Sequence, residues 1–296
     1  QDADDERGLA AFEQAFSDHV SFTVSNLSGA LFHNLTGGWF GRVPDKAYGT
    51  AEWYRQLWRC SRSFALVADL AVAVLGGGLK TKQKITGRLA DALSELYLLA
   101  CVLKRYEDDG KPAGDRHIVG LCAHNGLWRF QQALRGAVDN FPSLPVRWLM
   151  RLAAFPLGAR YKPAPDWLGH TCVELVLAPG EVRDRLTRYI YVSDNPNDPT
   201  GLLEVTFAKA VAAEAAEKKL DRAVRQGRVR RVHGTDWIGE AADQGVISDD
   251  EARLLREVEA LTARVIAVDH FDPAELRPHY MTAGHNARAV QSAAAE

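Results

Sequence analysis

The sequence lacks several features that would indicate a function directly. Its first residues, QDADDERGL, contain neither the basic nor the apolar region of a secretory signal. It has only four cysteines, Cys60, Cys101, Cys122 and Cys172, which form no CxxC pair and lie mostly in apolar segments such as LLACVL. This pattern excludes a disulfide framework and predicts buried, reduced thiols in a cytoplasmic protein.

Methionine is also scarce, since only Met150 and Met281 occur and position 1 is glutamine. Translation does not start at glutamine, so we expect the chain to be part of a longer protein. The longest apolar run, Phe64 to Leu75, contains Asp69 and is about a dozen residues long, short of the roughly 20 that span a bilayer. A buried helix is therefore predicted there.

Neither positive nor negative charge dominates the chain. Its 36 basic and 38 acidic residues give a formal net charge of -2, which creates no overall field for nucleic acid or an anionic membrane. With 47% hydrophobic residues, the chain can bury a sizeable core. Nucleic acid is therefore not an expected partner.

What the sequence does contain is helical periodicity. Four long helices are predicted: one that ends at Thr36-Gly37-Gly38, then 52–75, 86–106 and 118–139. The first has one apolar face, which consists of Phe12, Phe16, Val20, Val24, Leu27, Leu31 and Leu35. The third is apolar nearly all round in its second half, so we expect it inside a bundle.

Shorter helices are expected at 145–154, 166–178 and 181–190, after the proline-containing turn that follows residue 139. Thr200 is predicted to cap a helix to about Arg225, and Ser248 with Glu251 has the spacing of a capping box for a last helix to about Val268. The tail beyond Pro278 is expected to be frayed. No β-type alternation occurs, so the predicted fold class is all-α: a bundle of about four long helices followed by several shorter ones.

Three consecutive glycines at Gly76 to Gly78 suggest a phosphate loop. A P-loop requires GxxxxGK followed by Ser or Thr after a strand, whereas here Lys80 precedes Thr81 after a helix. We interpret the glycines as a helix stop and sharp turn, next to a solvated basic corner. The candidate structural or interface residues are Lys80, Lys82 and Lys84 of this corner, and Arg88 and Asp91, which form a polar stripe with Glu95 that could pair internally.

Other clusters of polar residues favour ordinary structural roles. Residues 194–198 lack the ligand order of a calcium loop, and His117, Cys122 and His124 match no zinc spacing. The arginines at 225–231 could touch a phosphate or anionic lipid, but without interleaved aromatics they are typical of a solvated loop. GxSxG, HExxH and GxGxxG motifs are absent. No catalytic, cofactor-binding or metal-binding residue is predicted.

A set of collinear motifs resembles the C-terminal region of large bacterial acyl-CoA dehydrogenases of fatty-acid β-oxidation. The motifs are VSNLSGALFHNLTGG from Val24, LGGGLKTKQKITGRLADALSELYLLACVLKRYEDDG from Leu75, NFP from Asn140, FPLG from Phe155, RDRLTRYIYV from Arg183, NPNDPTGLLE from Asn195 and VDHFDPAEL from Val268. The helix with GRLADALSELYLL is also similar to the extra helical domain of very-long-chain acyl-CoA dehydrogenases. The resemblance covers nearly the whole chain.

The resemblance implies an enzyme that holds FAD and uses a glutamate base, in a Glu-Gly motif upstream of the matched region. No glutamate here precedes glycine, so the catalytic role is carried onto no residue. FAD is expected in the parent enzyme and not in this segment alone. We expect 1–40 to join the catalytic core to the bundle, 41–192 to form the main bundle, and 193–296 to pack on it.

The partners implied by the resemblance are the acyl-CoA dehydrogenase core of the same chain, a second subunit in a homo-oligomer, and the inner membrane as a peripheral surface. Two alternatives stay open from the residues alone. One is a free-standing helical interaction module. The other is a membrane-surface adaptor that uses the basic corner or the arginine run.

Overall fold

The computed structural model describes residues 2–45, 47–232 and 234–267, with the side chains of 2–6 left out. Within these ranges the chain forms ten α-helices and no strand, which confirms the predicted all-α fold. The chain divides into two compact units, Gln1–Arg188 and Tyr189–Glu296.

The first unit holds all four predicted long helices. Its α-helices are α1 Asp2–Leu35, α2 Ala51–Leu75, α3 Gln83–Asp108, α4 Arg116–Asp139, α5 Leu144–Ala154, α6 Asp166–Leu177 and α7 Glu181–Thr187. Short 3-10 helices at Gly76–Lys80 and Ala113–Asp115 precede α3 and α4. The predicted helices 52–75, 86–106, 118–139 and 145–154 are confirmed to within three residues at each end.

The core of this unit lies where α3 and α4 pack along each other, with α2 and α5 beside them. Leu103 of α3 and Leu134 of α4 are completely buried, and Phe141 after α4 closes the end of the core. Burying such side chains contributes roughly 1.5–3 kcal/mol each. The unit is therefore held together mainly by apolar contacts between long helices.

The glycines after α2 act as the predicted helix stop. Gly76 has φ 47°, in the left-handed region that glycine adopts without strain, and Gly76–Lys80 form one 3-10 turn. Lys82 then stands at the N-cap of α3, although its side chain makes no capping hydrogen bond. The turn thus connects two consecutive helices of the same bundle.

Helix α2 is apolar over a longer stretch than the run counted in the sequence. Together with the 3-10 turn, Ala51–Lys80 is long and apolar enough to cross a membrane by length and composition, and 22% of its most apolar window is buried. Leu66, Val67 and Ala71 are nevertheless fully buried against neighbouring helices. We therefore treat α2 as a helix of the bundle core.

The prediction that α3 lies inside the bundle is wrong for one of its faces. Leu93, Tyr97 and Leu98 are each more than half exposed, and Cys101, expected to be buried, is exposed as well. The reason is that α2 and α4 cover only one stripe of α3, so the apolar residues on the opposite side have no neighbour among the described residues. Cys60 and Cys172 are buried, as predicted.

The second unit contains α8 Pro199–Arg225, α9 Trp237–Asp243 and α10 Asp249–Ile266. Its core forms where α8 and α10 pack together, around Leu220 and Ala241. The capping box of α10 is confirmed: the Ser248 hydroxyl accepts from the Glu251 N–H at 3.2 Å, and the Glu251 carboxylate accepts from the Ser248 N–H at 2.9 Å. The motif from Val268 and the tail beyond Pro278 lie outside the described residues.

Two details of this unit differ from the sequence prediction. The N-cap of α8 is Asp198 and not Thr200, because Pro199 occupies the first helical position and holds Asp198 in an extended conformation with ψ 140°. The Asp198 carboxylate accepts from the Thr200 N–H at 3.0 Å. Helix α9 was not predicted, since seven residues are too few to show a helical period.

Candidate functional site

An apolar stripe without a partner among the described residues runs along the first half of α1. Phe12 and Phe16 are 65% and 60% exposed, and their rings stack with centroids 6.1 Å apart. Leu9, Val20 and Val24 extend the stripe at helical spacing and are also exposed. We call these five residues the α1 stripe. An exposed apolar surface of this length is typical of a contact surface.

The second half of α1 is anchored to the bundle by polar contacts. The Asn34 side-chain amide donates to the Ser63 hydroxyl at 2.8 Å and to the Ala153 carbonyl at 3.1 Å, so one buried residue joins α1 to α2 and α5. The Thr23 hydroxyl donates to the Asp69 carboxylate at 2.6 Å. The α1 stripe is thus carried on a helix whose other end is fixed.

Aromatic and arginine side chains cluster where α1 turns into α2. The Trp58 ring lies between two guanidinium groups, those of Arg42 at 5.1 Å and Arg62 at 5.2 Å from its centroid. Nearby, the Arg55 guanidinium lies 5.2 Å from the Trp39 ring. Such cation–π pairs contribute about 0.5–2 kcal/mol each. Trp39 is 68% exposed, so the cluster presents an aromatic and cationic surface to its surroundings.

His33 lies under this cluster and is neutral. The Trp58 indole N–H donates to its Nε2 at 3.2 Å, which leaves the ring proton on Nδ1. Burial and the nearby Arg62 charge lower the pKa of His33. His33 Nδ1, Asn26 Nδ2 and Arg62 Nε are buried without a hydrogen-bond partner in the described part. Each unpaired donor costs about 1–3 kcal/mol. The contact between α1 and α2 at His33, Asn26 and Arg62 is therefore less well satisfied than the contact that Asn34 makes.

The predicted basic corner becomes an open cleft of about 550 Å³ at the start of α3. Lys82, Lys84 and Arg88 line it together with Asn140 and Pro142 from the end of α4. Among the residues that line it there is no carboxylate, so it favours anions. Lys80 ends the preceding 3-10 helix and is not among these lining residues.

The predicted stripe of Arg88, Asp91 and Glu95 does not pair within α3. The Glu95 carboxylate instead accepts two hydrogen bonds from Arg129 of α4, at 2.6 and 3.0 Å. The Arg88 side chain lies against Gly136 of α4, with its Nε 3.2 Å from where a Cβ would stand. Asp91 is exposed on the surface. The stripe therefore serves mainly the contact between α3 and α4.

A second polar network, which was not predicted, holds α7 to the junction of α3 and α4. Arg185 donates two hydrogen bonds to the buried Asp115 carboxylate, at 3.0 and 2.6 Å, in the bidentate geometry that arginine favours. Asp109 accepts from Arg105 at 3.2 Å and from Arg188 at 3.1 Å, and the Arg105 hydrogen bond lowers the pKa of Asp109. Sequence spacing could not reveal the contacts of Asp115 with Arg185 and of Asp109 with Arg188, because these partners are 70 and 79 residues apart. Arg105 and Asp109 are only four residues apart.

The remaining candidates, His117, Cys122 and His124, do not form a metal site. No group of three or more metal-ligating side chains occurs among the described residues. His117 and His124 contact different tryptophans, Trp167 and Trp53, while the Cys122 thiol is partly buried and burial raises its pKa. In the arginine run, Arg231 lies 4.8 Å from the Trp237 ring, and Arg225, Arg228 and Arg230 are exposed.

Comparison with known proteins gives one family. The family described as acyl-CoA dehydrogenase, C-terminal, bacterial type, matches residues 1–271. No solved structure matches the chain. The matched range includes the α1 stripe, the basic corner and the network around Asp115.

Proposed function

Because the chain belongs to the bacterial-type acyl-CoA dehydrogenase C-terminal family, we propose that it is the noncatalytic helical part of an FAD-dependent enzyme. This enzyme introduces the α,β double bond into long-chain acyl-CoA during fatty-acid β-oxidation. The helical part stabilises the catalytic core of the same protein and contributes to the interface between subunits. It acts in the cytoplasm, at or near the inner membrane.

The α1 stripe carries this proposal. Phe12, Phe16 and their apolar neighbours are exposed along one face, although the rest of α1 is anchored through Asn34. Covering two phenylalanines and three aliphatic side chains stabilises a contact by several kcal/mol at roughly 1.5–3 kcal/mol each. The catalytic core of the enzyme is the occupant that we assign to this surface.

FAD is implied for the whole enzyme by its family, and the three glycines with the basic corner do not fit it. Gly76–Gly78 form a turn between two helices, whereas diphosphate-binding glycines follow a strand. The cleft beside them is lined by three cations and no aromatic ring, so it offers no flat apolar slot for an isoalloxazine. In the proposal, flavin chemistry therefore belongs to the catalytic core.

The test compares two variants of the complete enzyme. Phe12→Asp with Phe16→Asp places two charges in the α1 stripe and is expected to lower flavin retention and the melting temperature of the core. The control, Tyr189→Asp with Tyr191→Asp, places the same charges at two exposed aromatics of the second unit. Equal behaviour of both variants would contradict the assigned contact, and oxidation of acyl-CoA by this chain alone would contradict its noncatalytic role.

The cluster at the α1–α2 turn favours an additional role at the membrane surface. Exposed Trp39 and Phe40 beside Arg42 and Arg55 combine aromatic rings with positive charge, as in surfaces that bind anionic lipid headgroups. Sedimentation with vesicles that contain anionic lipid should be salt-sensitive and should weaken in Trp39→Ala with Phe40→Ala. Unchanged sedimentation of this variant would remove the membrane role from this surface.

A further inference from the structure

A cavity of about 330 Å³ opens between the starts of α2, α4 and α6 and the end of α3. Its size is at the lower end of the range for small-molecule sites, roughly 300–1,000 Å³. It lies outside the α1 stripe and the basic corner. It is lined by aromatic rings and by three basic or imidazole side chains: Trp53, Tyr106, Trp167, Arg116, His117 and His124.

The aromatic walls of the cavity are fixed by the hydrophobic core on one side and are open to solvent on the other. Trp53 and Tyr106 pack against the hydrophobic core, which fixes their positions, while Trp167 is 60% exposed at the rim. His124 meets Trp53 at 5.1 Å and 75°, and His117 meets Trp167 at 6.5 Å and 84°. Both pairs are edge to face, and the 60% exposure of Trp167 leaves part of its ring open to a ligand.

The charges around the cavity select the ligand further. No carboxylate lines it, and two nearby carboxylates are engaged elsewhere: Asp115 binds Arg185, and Glu107 accepts from the Thr50 hydroxyl at 3.4 Å. Arg116 is exposed and makes no hydrogen bond or ion pair with another described residue. The Arg116 charge opposes a cationic ligand and attracts an anionic one, so the cavity favours an aromatic ligand that carries negative charge.

We propose that this cavity binds an adenine nucleotide. The purine ring stacks on the exposed indole of Trp167 at the rim, beside the aromatic wall that Trp53 forms. The imidazoles of His117 and His124 face the ring edge and can donate to or accept from its nitrogens. The phosphate lies at Arg116, whose planar guanidinium matches phosphate oxygens. The proposal does not depend on the function proposed above.

Two variants of the full chain test the two halves of the ligand. Trp167→Ala removes one stacking wall and is expected to weaken AMP and adenosine alike, by roughly five-fold or more. Arg116→Ala is expected to weaken AMP by about ten-fold while adenosine binding stays unchanged, since adenosine has no phosphate. Both side chains are exposed, so folding should be preserved, which circular dichroism checks. Trp148→Ala, at a tryptophan that is 66% exposed elsewhere on this unit, is the matched control.

Binding is measured by titration calorimetry with AMP, adenosine and coenzyme A, whose adenosine carries further phosphates. Tighter binding of coenzyme A than of AMP identifies the coenzyme as the source of the nucleotide, and equal binding identifies free nucleotides. Absence of AMP and coenzyme A binding would overturn the proposal. So would binding that Trp167→Ala and Arg116→Ala change no more than Trp148→Ala does. None of these results depends on acyl-CoA oxidation, so they are separable from the test of the proposed function.

Discussion

Replacing Gln131 by methionine should destabilise the first unit, because it removes two hydrogen bonds to the backbone of one residue, Tyr161. Gln131 lies in α4 and is 3% exposed. Its amide nitrogen donates to the Tyr161 carbonyl at 3.1 Å, and its amide oxygen accepts from the Tyr161 N–H at 2.9 Å. Through this pair it fixes the segment between α5 and α6, and with it the Tyr161 hydroxyl that donates to Gln56 at 2.8 Å.

Methionine has a similar length and volume, so the cavity contribution to the free energy of unfolding is small. The loss comes from two hydrogen bonds and from the two backbone groups of Tyr161 that they leave without a partner. Each lost hydrogen bond, with the backbone group that it leaves unpaired, should cost about 1–2 kcal/mol. The free energy of unfolding should therefore fall by roughly 2–4 kcal/mol. For a unit of this size, that corresponds to a melting temperature lower by roughly 4–16 °C.

Urea unfolding followed by tryptophan fluorescence measures this loss. Trp237 is the only tryptophan after residue 188, so the signal reports mainly on the first unit. Gln132→Met, at the exposed neighbouring position, is the control and should stay within about 0.5 kcal/mol of the parent. If Gln131→Met also stays within that margin, the hydrogen bonds to Tyr161 do not hold the segment, and the reasoning is refuted.

Three other changes follow from single side chains. Ser248→Ala removes the capping box of α10 and should cost about 1 kcal/mol in the unfolding of the second unit, measured by circular dichroism in urea. Burial raises the pKa of the Cys60 thiol to about 11, so at pH 8 roughly a thousandth of the Cys60 side chains are thiolates. After brief alkylation, mass spectrometry should find the exposed Cys101 labelled and the buried Cys60 unlabelled. His33 has a lowered pKa, so below about pH 6.5 the unfolded chain binds more protons and stability falls. His33→Gln should therefore flatten the loss of unfolding free energy as the pH drops from 6.5 to 5, and an unchanged slope would exclude His33 as its source.

The helices could be predicted from the sequence because their signals are local. Apolar spacing of three and four residues and the glycine and proline stops located the four long helices, and Ser248 with Glu251 located the start of α10. The short helix α9 was not predicted, because its stabilising contacts, such as the Asp236 cap, occupy a single turn. The start of α8 moved to Asp198 because a proline at the first helical position overrides the preference of the next threonine.

Contacts between distant residues could not be predicted in the same way. A polar stripe on one helix, such as Arg88, Asp91 and Glu95, fits pairing within the helix and pairing with a neighbour equally well. Only the fold shows that Glu95 meets Arg129. The burial of α3 was overestimated for a related reason. An apolar helix indicates that its faces are covered, but the sequence does not show whether the covering residues belong to the same chain. Leu93, Tyr97 and Leu98 remain exposed.

The positions of the motifs also bear on the proposed function. The motif from Val24 contains Asn34, which joins α1 to α2 and α5, and the motif from Arg183 contains Arg185, which binds the buried Asp115. The segment that starts with FPLG runs into Tyr161, which Gln131 clamps. In each case the motif residue makes a contact between helices. Asn34 and Tyr161 also line a cavity, but its volume of about 20 Å³ is enough for about one water and not for a substrate. A catalytic part would instead need a base and an acceptor held beside a common reacting atom. Motifs placed at helix contacts therefore favour the proposed supporting role over a catalytic one.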